Sequence, residues 1–256
     1  MIEKIINISK EAGEIIRDGF GKHKSVEFKT NSSNLVTEID KESEKLIINF
    51  IEKEFPAHTI IAEETGHLEK NSEYTWIIDP LDGTTNFAHG LPIFSVSIGL
   101  LKKNEVVCGV VYDVMNDIVY SSEKGGGSFK NALKISVSTN SNLEESLLVT
   151  GFPYDIKNNP HKAIEKFAGF LKAARAIRRL GSAALDMCYV ASGIFDGFWE
   201  VQINPWDIAA GKLIVEEAGG LVTDFNGKPM DVFSPQMLAS NGYIHNSMLQ
   251  ILKLYE

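Results

Sequence analysis

Trp76-Ile77-Ile78-Asp79-Pro80-Leu81-Asp82-Gly83-Thr84-Thr85-Asn86-Phe87 is the stretch from which the rest of the chain can be read. Trp76 to Ile78 is a bulky β-forming run of the kind that makes a buried strand. Pro80 then holds Asp79 extended and removes a backbone donor. Gly83 permits a tight turn, and Thr84 or Thr85 is placed to cap a short helix. Asp79 and Asp82 are therefore set on a bent loop at a strand end, where sheet proteins keep their chemistry. Carboxylates this close repel each other unless a proton or a cation lies between them. Oxygen-only ligands favour Mg²⁺ or Ca²⁺ over zinc. Amides just after Gly83 suit a phosphate. An Asp-Gly turn alone is commonplace; the twelve-residue string is far more specific.

Outward from that string, the N-terminal side is read as a helix over 2–20 carrying Ile5, Ile6, Ala12, Ile16 and Phe20 at helical spacing, then a short strand from Val26 to Lys29. A second helix is predicted from near Thr37 to before Pro56, and a strand from Thr59 to Ala62 ending at Glu63-Glu64. Residues 93–123 read as three strands, and Gly125-Gly126-Gly127, which lacks the Lys and Ser/Thr of a P-loop, reads as a turn. From about 146 strands alternate with helices to the end of the chain. We expect a single domain over 1–256 with one continuous core, in an N-terminal lobe of about 1–140 and a C-terminal lobe of about 141–256.

Composition narrows the function. A hydrophobic content of 44% and a charged content of 23% are those of an ordinary globular protein, and no apolar run is long enough to span a bilayer. The net charge of −9 argues against nucleic-acid binding through a broad basic face. The N-terminus lacks the features of a signal peptide, so we expect a cytoplasmic protein with no membrane partner and with Cys108 and Cys188 reduced in the core.

Three further acidic positions could join Asp79 and Asp82. Glu63 and Glu64 end a strand, as Asp79 does, so adjacent strands could build one acidic pocket; the alternative is a solvated acidic turn. Asp207, in Pro205-Trp206-Asp207, opens a helix and could simply cap it.

Taken together, the sequence resembles the inositol monophosphatase family. An apolar run followed by Asp-Pro-x-Asp-Gly-Thr and Thr-Asn-Phe is similar to that family's metal-binding signature, and every position of it is filled. Asn204-Pro205-Trp206-Asp207-Ile208-Ala209-Ala210-Gly211 resembles its second signature, and Leu35 to Asp40 and Ile61 to Glu64 sit in matching contexts, with order and spacing agreeing from about residue 29 to 242. The resemblance implies a layered α/β fold, an α-β-α-β-α sandwich, and a homodimer. It implies a Mg²⁺-dependent hydrolase of small phosphate monoesters, inositol 1-phosphate first, with fructose 1,6-bisphosphate and other sugar or nucleotide phosphates as alternatives, and sensitivity to Li⁺. Glu63, Asp79 and the Leu81 carbonyl correspond to ligands of a first Mg²⁺, and Asp79, Asp82 and Asp207 to those of a second; a third, weaker ion would share Glu63. Asp40 and Thr84 correspond to the pair that orients the attacking water. Gly83 and Thr84 correspond to phosphate donors. Gly181, Ser182, Ala183 and Glu200 lie where the family binds the hydroxyl-bearing ring, and Lys29 matches a basic residue of a loop that contacts the metal site. Arg178 and Arg179 leave two readings open, recognition of a second phosphate or surface charges near a dimer seam. Asn131-Ala132 departs from the usual Asn-Gly of a hairpin turn.

Two other classes remain open from sequence. Phosphatases with an aspartyl-phosphate intermediate use Asp-x-Asp-Gly-Thr, whereas here Asp79 and Asp82 are three apart with Pro80 between them. A cation-binding regulatory protein needs carboxylates alone; the Thr84 and Asp40 pair is what speaks for an enzyme.

Overall fold

The computed structural model describes residues 1–22, 26–28 and 35–255. Helix α1 (Ile2–Gly19) buries Ile5, Ile8, Ala12 and Ile16 along one stripe. Strands β1 (Val26–Phe28) and β2 (Leu35–Thr37) pair with each other and lead into α2 (Glu38–Glu54), which buries Ile39, Ile47 and Ile51. Strands β3 (Thr59–Ala62), β4 (Gly66–Leu68) and β5 (Tyr74–Asp82) follow, then the short helix α3 (Thr84–Ala88). The antiparallel run β6 (Ser95–Lys102), β7 (Glu105–Asp113), β8 (Ile118–Glu123), β9 (Gly127–Lys130) and β10 (Leu133–Ile135) completes a sheet of order β10-β9-β8-β7-β6-β5-β3-β4.

The second half alternates. In order come β11 (Leu147–Thr150), α4 (Ala163–Ala173), β12 (Ala176–Arg178), α5 (Ala183–Ala191), β13 (Gly197–Val201), α6 (Pro205–Glu217), β14 (Leu221–Thr223), β15 (Gln236–Ser240) and α7 (His245–Lys253). Its strands form a mixed sheet of order β12-β11-β13-β15-β14. Among the described residues, four apolar clusters fill the spaces between layers, the smallest joining Ile77 and Leu101 of the large sheet to Ala209 and Leu213 of α6. The first, around Trp76, Ile78 and Val110, lies between α1 and α2 and the large sheet. The second, around Leu185, Ile208 and Ile214, packs α5 and α6 between the two sheets. The third, around Phe170, Trp199 and Met248, lies under α4 and α7. The layers are therefore α-β-α-β-α, as the family resemblance implied.

Two local features place the chemistry. A strand alternates its side chains, so residues 79 and 82, an odd number apart, belong on opposite faces. The register between β5 and β6 slips there: Asp79 faces Ser97 and Asp82 faces Ser95, three residues against two. This β-bulge absorbs the odd residue and turns both carboxylates the same way. It also tolerates Pro80, since β3 pairs with β5 only as far as Ile78 and a bulge needs no ladder donor from the proline. The predicted strand Trp76 to Ile78 thus extends from Tyr74 through Pro80 to Asp82.

The second feature is the seat of α6. A Cβ on Gly99 would lie 3.0 Å from the Ala209 Cβ, and one on Gly109 would lie 2.7 Å from the Ala210 carbonyl oxygen. Glycines on the sheet and alanines on the helix let α6 lie close against β6 and β7. Sequence periodicity did not show β4, β9 and β10, which are short and carry no apolar alternation; they are held by backbone pairing to a neighbour. Asn131-Ala132 forms the β9–β10 turn, where Asn131 accepts the Val119 amide at 2.9 Å. Cys108 and Cys188 are free and buried.

Candidate active site

Strands β3 and β5 are parallel with Ala62 opposite Ile78, so Glu63, just past the end of β3, comes beside Asp79 on β5. Helix α6 starts at the same place. Asn204 is its N-cap, Pro205 its first residue, and Asp207 its third, where one carboxylate oxygen accepts the Asn204 amide at 2.8 Å in a capping box. Asp207 is thus not the N-cap that its position allowed for; its other oxygen remains for the cleft. Ligand oxygens of Asp79, Asp82 and Asp207 lie within 4.8 Å of one another. Glu63 lines the same cavity, as do Leu81, Gly83 and Thr84.

This crowding has an electrostatic signature. Burial, then the charges of Glu63, Asp82 and Asp207, push the Asp79 carboxyl well above the ordinary carboxylate range. Burial followed by Glu63 and Asp82 does the same to Asp207. Asp82 is raised by burial to about 6, opposed by donors. Those donors are the Ser182 hydroxyl at 2.5 Å and the amides of Ala184 at 3.0 Å and Ala183 at 3.3 Å, at the start of α5. A cluster of buried carboxylates that destabilise one another, with only oxygen donors around, fits a hard divalent cation.

Thr84 does not cap α3; Gly83, at φ +100°, occupies that position. The Thr84 hydroxyl instead lies 3.0 Å from Asp40 Oδ1 and 3.1 Å from the Leu81 carbonyl, so it can donate to either. Asp40 is fully buried and does not line the cleft itself, whereas Thr84, which it holds, does.

Another part of the cleft wall is built by α5 and β13. Gly181, Ser182, Ala183 and Glu200 all line it. Burial raises Glu200 to about 8, against the pull of Arg179 and with a push from Asp82. Arg178 and Arg179 separate. Arg179 lines the cleft and stacks over Phe152 at 5.9 Å, whereas Arg178, on a strand one residue earlier, turns to an outer groove beside Arg175 and Asp196. Glu64 also turns away: it lies with Lys41, Glu44 and Thr65 on the α2 side, because adjacent residues at a strand end point oppositely. Lys29 lies outside the described residues.

Sequence reading missed several residues of the cleft. Asn86 donates to the carbonyls of Ile93 at 2.8 Å and Leu180 at 2.7 Å, tying α3 to the approach of α5. Tyr154 comes in from the loop after β11. Asp186, one turn into α5, is 1% exposed on the cleft wall; its Oδ1 has no hydrogen-bond partner, and burial, Glu200 and Asp82 push its carboxyl well up. Asn86 stood inside the quoted string; the other two had no local signal.

The chain is similar to known proteins along nearly its whole length. The chain is 44% identical over 248 residues to a fructose-1,6-bisphosphatase/inositol-1-monophosphatase of Thermotoga maritima, covering 96% of this chain and 93% of that one. It is 43% identical over 242 residues to the Nus factor SuhB of Pasteurella multocida, covering 94% and 91%. The crystal structure of the extragenic suppressor protein suhB from Bartonella henselae superposes with a TM-score of 0.93 at 35% identity, covering 98% of this chain and 97% of that one. Among the described residues no helix is long and apolar enough to cross a membrane. The model of the inositol monophosphatase family matches residues 1–255, and the chain belongs to that family of phosphatases.

Proposed function

We propose that the chain hydrolyses phosphate monoesters of polyhydroxylated alcohols, inositol 1-phosphate first, using Mg²⁺. The observation that carries this reading is the convergence of Asp79, Asp82 and Asp207 within 4.8 Å beside the Thr84–Asp40 hydrogen bond. Glu63, Asp79, the Leu81 carbonyl, Asp82 and Asp207 would hold two or three ions. When bound, such ions neutralise the phosphate, acidify a water and stabilise the leaving alkoxide. The rest is the work of the chain. Asp40 fixes the Thr84 hydroxyl, which orients the attacking water in line with the phosphorus. The backbone at Gly83 and Thr84 donates to phosphate oxygens. Ser182 and the first amides of α5 hold Asp82 in place. Glu200 and the Gly181 to Ala183 segment receive the hydroxyls of the alcohol. No serine or cysteine nucleophile enters this scheme.

A second substrate is favoured by one observation. Arg179 in the cleft offers a cation to a second phosphate, as fructose 1,6-bisphosphate carries. A panel of inositol 1-phosphate, fructose 1,6-bisphosphate and 4-nitrophenyl phosphate, scored by phosphate release with and without Mg²⁺, decides between them. Turnover in a chelated sample, or trapping of a phosphoryl-enzyme, would sink the metal-water scheme. The homodimer belongs to the same reading, and light scattering tests it.

A further inference from the structure

Helix α2 presents Asp40, Ser43 and Glu44 on one face, at i, i+3 and i+4, and all three are buried. Each grips a different part of the site. Asp40 takes the Thr84 hydroxyl at 3.0 Å, and the Ser43 hydroxyl donates to the Pro80 carbonyl at 2.9 Å, so both hold the bulged segment that carries Asp79 and Asp82. Glu44 holds the other acidic segment. One of its oxygens accepts the Glu64 amide at 2.8 Å; the other accepts the Thr65 amide at 2.7 Å and the Thr65 hydroxyl at 2.5 Å. These donors directly follow Glu63. A carboxylate 2% exposed is costly to bury, and a tight turn needs no such partner to close. What the turn does need is restraint, since Glu63 stands beside Asp79 and like charges at a strand end repel.

We propose that Glu44 is a positioning residue for the divalent-cation site. It touches no ion. It clamps residues 63–65 so that Glu63 stays beside Asp79 before any ion arrives, and α2 thereby sets the two acidic segments against each other. This rests on the cation reading of the cleft. The general effect is that of an outer hydrogen-bond partner, whose loss typically weakens metal binding by 10- to 100-fold.

Glu44→Gln keeps the shape but sets an NH₂ group against an N–H donor. Mn²⁺ binding to the substrate-free protein, followed by electron paramagnetic resonance or calorimetry, should weaken about 10-fold or more. Raising Mg²⁺ should restore much of the lost turnover, which a purely structural lesion would not allow. Affinity within two-fold of wild type in a folded variant overturns the proposal. If Glu44→Gln does not fold, Thr65→Val removes the hydroxyl donor alone: weakening of about three-fold or more supports the clamp, and unchanged affinity overturns it. A wild-type protein that binds no divalent ion instead defeats the cation reading itself.

Discussion

Asp79→Asn should inactivate the enzyme and at the same time stabilise its metal-free form. Asp79 is 2% exposed, and its Oδ1 accepts the Leu81 amide at 2.9 Å, a bond that the Asn carbonyl oxygen can keep. Two unit charges 4.8 Å apart repel by about 3.5 kcal/mol at an effective dielectric of about 20, and Asp79 has two such neighbours in Asp82 and Asp207. Protonation limits the damage. Neutralising a carboxyl of ordinary pKa 3.8 at pH 7 costs about 4 kcal/mol, so that is the ceiling on the strain one ionised Asp79 can impose. We expect a gain of about 1–4 kcal/mol, or roughly 3–10 °C in Tm for a chain of this size. The sign with pH follows. Asp79 binds its proton more tightly folded than unfolded, so its contribution is fully present below about pH 4 and is lost as the pH rises through the elevated folded value. Chelated wild type should therefore lose stability from acid toward neutral pH, with a flatter profile in the variant. Thermal melts at pH 5 and pH 8, with chelator and with Mg²⁺, measure this alongside phosphate release. A chelated variant less stable than wild type at pH 8, or one that Mg²⁺ stabilises as much as wild type, would refute the reasoning.

Thr84→Ala should lower kcat by about 100-fold or more while Mg²⁺ affinity changes little; a kcat within a few-fold of wild type would remove the Thr84–Asp40 pair from water orientation. Glu200→Gln should lower the ratio of kcat/KM for inositol 1-phosphate to that for 4-nitrophenyl phosphate by about 10-fold at pH 9, where Glu200 is ionised, and by less at pH 7, where its carboxyl, raised to about 8, is largely protonated. Equal losses on both substrates would move Glu200 to support of the metal site. Li⁺ should inhibit by competing for the Asp79–Asp82–Asp207 position, and indifference to high-millimolar Li⁺ at fixed Mg²⁺ would count against it.

Much of this protein is legible from the chain alone, because the signals are local. Helical spacing of isoleucines marked α1 and α2, and the apolar run at Trp76 marked β5. Asp-Pro-x-Asp-Gly-Thr and Pro-Trp-Asp identified the family, and with it the layered fold. Glu63, Asp79 and Asp207 stood out at element ends, and the family resemblance made them metal ligands before anything showed that those ends meet. What only the tertiary structure decided depends on parts distant in sequence. Period-two alternation would part Asp79 from Asp82; a bulge against β6, set by pairing rather than by any single residue, reunites them. Asp207 reaches them because Gly99 and Gly109 admit α6 to the sheet. Arg179 enters the cleft while Arg178 leaves it, and Glu63 enters while Glu64 leaves it, since a strand sends neighbours opposite ways and sequence does not say which face meets the cleft. Glu44 and Asp186 read as ordinary helix residues until their helices are packed. Packing then gives the Glu44 carboxylate the amides of Glu64 and Thr65 and leaves the Asp186 Oδ1 without a hydrogen-bond partner, because a polar group's cost and its role are set by the surroundings that folding supplies.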